Sequence, residues 1–487
     1  MADDNTQRPY DTIVTQIVDY AYDFDITRPQ AFQRATATLL DAMGAAFEGL
    51  TTSADCRELI GPAWPAPDQL PNGFRLPGTK FQLDVLKGAF DMGLLIRYLD
   101  HNDAFPGAEW GHPSDNLGAI LATADILSRQ AALTTNTPTP GPTMKHVLIA
   151  LIKAYEIQGC FQIKNAFNRV GLDHVILVKV AATAVTSWLL GLTKSQAQAA
   201  VSHAWLDGHP LRVYRQAPNA GPRKGWAGGD ACMRAVHLAL LVQKGQPGVR
   251  SVLTAPRWGF YDVLFRGGAF DLPRPFGSWV VENVLFKVST AEGHGLTAVE
   301  AALTVSEDLR RRGRTPDEIA RVRVRTQEAA MIIINKVGPL HNAADRDHCL
   351  KYMVAVVLLK GASIETADYQ DESPWASDPR VDTLRGKMVL EEDPQMTTDY
   401  HNPEIRSLAN AIRVTLVDGT ELDEVVVDFP VGHVRREETM AAVREKTRKN
   451  LGLKLPGERV EKILELAGSE EFEKLPVREF VDLLVPE

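Results

Sequence analysis

The chain has 487 residues, of which 45% are hydrophobic and 24% charged, and its formal net charge is -9 at pH 7. That length is too great for one small core and suggests about two or three domains, with enough apolar material to exclude wholesale disorder. The acidic balance excludes nucleic acid as the main partner, which would need a broad basic surface.

The opening stretch MADDNTQRPYDTIV is acidic and polar. It has neither the apolar core of a signal peptide nor the arginine-rich face of a transit peptide, so a cytoplasmic protein is expected. From about residue 10 to 278 apolar residues recur at helical spacing, with little β-branched alternation. In AFQRATATLLDAMGAAFEGL the small residues Ala42, Gly44, Ala45 and Ala46 predict a helix whose backbone approaches its neighbours closely. In SDNLGAILATADILSRQ, Ser114 or Asp115 is the expected N-cap of a helix presenting Leu117, Ile120, Leu121 and Leu127 on one face. TTNTPTPGPT, 134 to 143, reads as a short exposed loop. The most apolar segment, LDHVILVKVAATAVTSWLLGL, contains Asp173, His174 and Lys179, which leaves too short an uncharged run to span a bilayer. It predicts a buried core helix and no membrane partner.

After RPFGSW the pattern changes. ARVRVRTQ alternates at period two, DHCLKYMVAVVLLKG is helical, and NAIRVTLVDGTELDEVVVDFP reads as two strands joined at Asp418-Gly419. Residues 279–430 are therefore expected to form an α+β domain between a helical part, 1–278, and a returning helical segment, 431–487, which begins with REETMAAVREKTRKNLGL. No repeat of fixed period is present. The four cysteines, Cys56, Cys160, Cys232 and Cys349, lie far apart without a CxxC pair, which speaks against a zinc finger, a disulfide framework and an iron-sulfur cluster.

Four constellations carry chemistry-bearing side chains. In YLDHNDAFPGAEWGHPSDN, Asp100, His101, Asn102 and Asp103 end one helix, and His112 precedes the start of the next. Backbone N–H groups at that start favour an anion, so His112 is placed to meet a carboxylate ligand; the plainer reading is that Asp100, Asp103 and Ser114 cap helices. In NRVGLDHVILVKV, His174 stands at a helix N-terminus, where the dipole favours the neutral imidazole and hence a base, although a structural histidine would look the same. LRVYRQAPNAGPRKGWAGGD places Arg212, Arg215, Arg223 and Lys224 in a Gly/Pro-rich segment, read as a ligand-shaped loop rather than solvated surface. ENVLFKVSTAEGHGL sets Lys287 and His294 just beyond the expected domain boundary. Together they describe a site for a polyanionic small molecule.

LDHND followed by AEWGHPSDNLGAILATAD, FNRVGLDHVILVKVAATA, RKGWAGGDACMRAVHLAL, TAPRWGFYDVLF, ENVLFKVS and TQEAAMIIINKVGPLHNAADRDHCLKYMVAV resemble the 2-methylcitrate dehydratase branch of the MmgE/PrpD family over nearly the whole chain. EWGHPSDN and NAADRDH are specific to that branch. The resemblance implies a mainly α fold, with a large all-helical domain built from the N-terminal part and the extreme C-terminus, a smaller α+β lid, a homodimer, and catalysis without metal or organic cofactor. The family includes 2-methylcitrate dehydratases, cis-aconitate decarboxylases, an iminodisuccinate epimerase and fungal 2-alkylcitrate dehydratases of maleidride biosynthesis. Its helix-ending aspartate falls on Asp100, its HPS histidine on His112, its second catalytic histidine on His174, its two active-site lysines on Lys224 and Lys287, and a following histidine on His294. Asp103, Ala104, Phe105, Ser114, Arg223 and His294 are expected to contact substrate.

The decarboxylases have a threonine where this chain has Ala104 and a lid tyrosine where TQEAAM has none, which counts against decarboxylation. The implied activity is dehydration of 2-methylcitrate or a longer-chain 2-alkylcitrate, with a tricarboxylate small molecule as partner. The alternatives are a cis-aconitate-type decarboxylase or a non-catalytic tricarboxylate-binding protein. Where 2-methylcitrate dehydratases usually read threonine, tryptophan, leucine, alanine, this chain reads Ala104, Phe105, Pro106, Gly107. The smaller side chains predict a cavity for an added alkyl group.

Overall fold

Three helices meet backbone to backbone at glycines. Helix Val85–Arg97 begins at Asp84, whose side chain accepts the N–H groups of Leu86 and Lys87, and it crosses helix Arg223–Gln243 where Gly93 meets Gly229. A Cβ on Gly93 would lie 2.8 Å from the Cα of Gly229, and one on Gly118, in helix Leu117–Leu133, 2.7 Å from the N of Gly93. Glycine is required at each of these crossings because any side chain would force the axes apart. Gly225 lies against Tyr98, while Gly229 lies against Phe90, so the first two helices run antiparallel. The N-terminus of Arg223–Gln243 consequently sits beside the C-terminus of Val85–Arg97.

The computed structural model describes residues 8–64, 67, 69–133, 141–206, 208–215, 221–402 and 404–486. Most of the stretch expected as an exposed loop, and residues 216–220 of the basic segment, lie outside the described residues. The architecture is mainly α, in two compact units: residues 1–284 with 443–487, and residues 285–442.

In the first unit, helix Pro29–Thr52 is buried through its small-residue run, and Gly44 faces Asn450 and Thr447 of helix Thr439–Leu451. The returning segment is locked in by Lys446, which pairs with the buried Asp41 at 2.8 Å and donates to the carbonyl of His101. Helix Val175–Leu189 is buried along nearly its whole length, as its uniform apolarity predicts. No helix among the described residues is long and apolar enough to cross a membrane.

The second unit carries a four-stranded sheet in the order Met388–Glu392, Ile319–Thr326, Asn410–Leu416, Val425–Val427. Val322 pairs in parallel with Met388 and antiparallel with Val414. Period-two alternation explains the strand: Val322 and Val324 are fully buried, while Arg323 and Arg325 face outward to Glu391 and Glu424. Asp418 and Gly419 turn between the last two strands, with Gly419 at φ +85°. Helix Leu350–Lys360 ends at Gly361 in the left-handed conformation.

The unit edges fall at 284 and 442, whereas the sequence reading set 278 and 430. The short helix Trp279–Glu282 stays with the first unit because Glu156 accepts the N–H groups of Gly277 and Val280, and Val280 presses on Gly159. The start of the last long helix stays with the second unit because the Thr439 hydroxyl bonds to Gly432 and His433.

Candidate active site

The HPS turn differs from the sequence expectation. Pro113–Asn116 is a 3-10 turn leading into Leu117–Leu133, and its N-cap position is His112, which makes no side-chain cap hydrogen bond. The Ser114 N–H, expected to face a ligand carboxylate, is donated to Asp103 Oδ1, and the Asp115 N–H to the carbonyl of His112. The anion at this position is thus the protein's own. Asp103 also accepts from the Tyr155 hydroxyl, and burial pushes its carboxyl up to about 6. Its carboxylate shapes the turn from within rather than lying open to a ligand. Ser114 accepts from Asn102 at 2.8 Å, and Asn102 also donates to Asp115. Burial raises Asp115 to about 7 against the opposing pull of Arg97.

Asp100 follows the end of helix Val85–Arg97 in the left-handed region, at φ +56°, unusual for a non-glycine residue. Arg97 Nη1 holds it there with a 2.5 Å ion pair. Its Oδ1 lies 3.5 Å from His112 Nε2, and His112 Nδ1 lies 2.7 Å from the carbonyl oxygen of Asp103. His112 Nδ1 is therefore the ring nitrogen that donates, to the Asp103 carbonyl, and Nε2 faces the Asp100 carboxylate at ion-pair distance. His101, next to Asp100, turns away into the helical core and meets Glu48 at 2.5 Å.

His174 lies beside His112, with ring centroids 5.5 Å apart. Its Nδ1 is 3.3 Å from Asp173 Oδ1, while its Nε2 is buried and has no hydrogen-bond partner. Burial, opposed by Asp173 and reinforced by Arg215, Arg97 and Arg212, holds the imidazole well below its ordinary pKa and neutral. The helix dipole predicted the neutral form; desolvation is the larger cause. Burial works against the Asp173 carboxylate too, yet Arg215, by charge and by hydrogen bonds, more than offsets it and keeps it far below the usual range.

Lys224 is buried in the first turn of helix Arg223–Gln243, which the glycine crossing places beside the Asp100 end of its neighbour. Arg223 is partly exposed and stacks on Trp226 at 4.1 Å, with Asp230 at 3.8 Å. Ala104 and Phe105 are buried, the latter edge-on to Trp279 at 5.7 Å. Gly107 does not leave a cavity: a Cβ there would lie 2.3 Å from the carbonyl oxygen of Gln162. Asp100, His112 and His174 thus come together directly, with Asp103, Ala104 and Ser114 in the segment that carries the first two.

Lys287 and His294 belong to the second unit. The segment before Lys287 is fixed by Gly432, at φ +113°, whose missing Cβ would otherwise fall on the carbonyl of Phe286. His294 is buried, with Nδ1 2.9 Å from Glu292 Oε1 and Nε2 3.1 Å from the Tyr400 hydroxyl. Burial would raise Glu292, but His294, helped by His348 and Lys287, holds it at about 2. The sequence reading did not assign Arg97, Asp173, Glu292 or Tyr400 to the site. Asp173 directly before His174 and Glu292 two before His294 were the only available signals. Among the described residues, no group of three or more His, Cys, Asp or Glu is arranged to hold a metal ion.

Chemically, the first unit presents a neutral imidazole with an unpartnered buried Nε2, able to accept a proton, beside a second imidazole whose Nδ1 is bonded to a carbonyl oxygen. The MmgE/PrpD N-terminal domain model matches residues 15–273 and the MmgE/PrpD C-terminal domain model residues 290–469. The chain is 68% identical to the 2-methylcitrate dehydratase-like protein oryR of Aspergillus oryzae, over 100% of this chain and 98% of that protein. It is 51% identical to the 2-methylcitrate dehydratase of Escherichia coli, over 99% of each. It is 48% identical to the alkylcitrate dehydratase phiI of Fungal sp., over 98% of this chain and 94% of that protein. With both family models matched across most of the chain, and relatives this similar over their full length, the protein belongs to the MmgE/PrpD family.

Proposed function

We propose that this protein is a 2-alkylcitrate dehydratase, a hydro-lyase that eliminates water from 2-methylcitrate or a longer-chain homologue to give the 2-alkyl-cis-aconitate. The observation that carries the proposal is the pair of buried imidazoles 5.5 Å apart, one with Nδ1 beside Asp173 and Nε2 unpartnered, the other with Nδ1 bonded to the Asp103 carbonyl. The names of the relatives support the substrate class.

Dehydration removes the proton beside one carboxylate and expels the hydroxyl of the neighbouring carbon. In this proposal His174 Nε2 takes the carbon-bound proton as its electron pair forms the double bond. His112, backed by Asp100, protonates the departing hydroxyl, which leaves as water. Each such proton transfer contributes about 10²- to 10⁴-fold. Negative charge builds on the carboxylate during the first step, and fixed cations stabilise it best in a desolvated site. Lys224 is assigned that task in place of the HPS turn, whose Ser114 N–H is already taken by Asp103. Lys287 and His294, in the second unit, keep only the roles that the family resemblance implies, and the protein is proposed to work as a homodimer. Of the positions where the sequence suggested spare volume for an alkyl group, Gly107 is filled by the Gln162 carbonyl, which leaves Ala104, Phe105 and Pro106.

The test is to incubate the purified protein with 2-methylcitrate and with propyl, butyl and hexyl homologues and follow the conjugated product by ultraviolet absorbance. A second arm measures carbon dioxide release from cis-aconitate. Product from one or more 2-alkylcitrates is expected. A higher specificity constant for carbon dioxide release would favour a decarboxylase instead. Tricarboxylate binding without turnover would mark a binding protein.

A further inference from the structure

We propose that Arg215, acting through Asp173, is a positioning residue that holds His174 in the tautomer protonated at Nδ1, leaving Nε2 as the base. The inference rests on the dehydratase reading and deepens it by naming what prepares the base.

Asp173 is completely buried and collects donors on both oxygens. Oδ1 accepts the Val175 N–H at 3.2 Å and Arg215 Nη2 at 3.2 Å, and lies 3.3 Å from His174 Nδ1; Oδ2 accepts Arg215 Nε. This two-pronged guanidinium contact fixes the plane of the carboxylate, and the carboxylate in turn fixes the ring. A carboxylate can only accept, so its place 3.3 Å from His174 Nδ1 favours the proton on Nδ1 and the lone pair on Nε2. The backbone builds the same alignment. The Asp173 N–H bonds to the carbonyl of Pro210 and the Arg212 N–H to that of Gly171, which pins the segment carrying Arg215 alongside the segment carrying Asp173 and His174. A salt bridge serving only stability would not need its carboxylate against an imidazole whose other nitrogen is buried and unpartnered.

The charged groups around His174 are Asp173, Arg215, Arg97 and Arg212, with the His112 ring alongside; Asp100 and Tyr214 act on Arg215. Asp173 favours the protonated ring and the arginines oppose it. Loss of Asp173 and loss of Arg215 must therefore move the base in opposite directions.

The experiment is the pH profile of kcat/KM for the wild type, Asp173→Asn, Arg215→Gln and Arg215→Lys, with far-UV circular dichroism as the check on folding. In Asp173→Asn the acidic limb is expected to move to lower pH and kcat to fall about tenfold or more, because an amide no longer dictates the tautomer. In Arg215→Gln the limb is expected to move to higher pH. Arg215→Lys keeps the charge without the fork, so its limb should stay near that of the wild type while kcat falls. Limbs that remain in place in Asp173→Asn and Arg215→Gln, or that shift the same way, overturn the proposal. If Arg215→Gln does not fold, an unmoved limb in Asp173→Asn or full turnover in Arg215→Lys does so. His174→Ala separates the two levels: normal activity there would remove His174 as the base, and with it the dehydratase mechanism, whatever Arg215 does.

Discussion

Adding one methyl group at Gly229 tests whether the helix crossing sets the position of Lys224. In Gly229→Ala the new Cβ would lie 2.4 Å from the carbonyl oxygen of Phe90 and 2.9 Å from the N of Leu94, both backbone atoms that cannot rotate away. Ordinary contact begins near 3.4 Å, so the helices must separate by about 1 Å. Overpacking of this kind costs about 1–3 kcal/mol, and the better helix propensity of alanine returns about 1 kcal/mol. The net loss of about 1 kcal/mol should lower Tm by only about 1–2 °C in a unit of this size. Lys224 lies on the same helix, and a displacement of about 1 Å at a reacting group can cost about 10²-fold in rate. Turnover should thus collapse while the protein stays folded. Steady-state kinetics on 2-methylcitrate beside thermal melts would show this, with Gly457→Ala as a control because a Cβ there meets nothing within 4 Å. A Gly229→Ala variant with kcat within about twofold of wild type would refute the reasoning that this contact positions Lys224.

His112→Ala and Lys224→Ala are each expected to lower kcat/KM about 10²-fold or more with unchanged circular dichroism, and near-normal rates would remove them from the mechanism. Burial pushes Glu109 from its ordinary 4.5 up to about 8, with Arg212 opposing. The folded protein keeps this proton while the unfolded chain loses it, so stability falls as pH rises from 4.5 through 8. Glu109→Gln should flatten that part of a Tm-against-pH curve; an unchanged slope would show that Glu109 does not titrate in this range. Ala104→Thr should reduce kcat/KM for a propyl homologue more than for 2-methylcitrate, since each lost buried methylene is worth about 0.8 kcal/mol, roughly fourfold. An equal reduction for both substrates would mean that the alkyl group lies elsewhere.

Much of the architecture was legible in local pattern. Alternation in ARVRVRTQ and the Asp418-Gly419 turn specify strands because side chains of a strand alternate between faces and the turn needs a residue tolerant of positive φ. The small residues around Gly44 specify close helix packing, and the returning segment packs on them. Residue identity and spacing also singled out Asp100, His112 and His174, which the structure sets side by side. What local pattern cannot carry is the direction of a hydrogen bond between distant segments. The HPS turn looks like a ligand-binding helix start until folding brings Asp103 onto the Ser114 N–H. Gly107 looks like spare volume until the carbonyl of Gln162 occupies it. Arg215 looks like one cation in a basic loop until the pairing of 171–173 with 210–212 delivers it to Asp173. In each case the deciding partner lies outside the local segment, and only tertiary packing determines which buried polar group satisfies which.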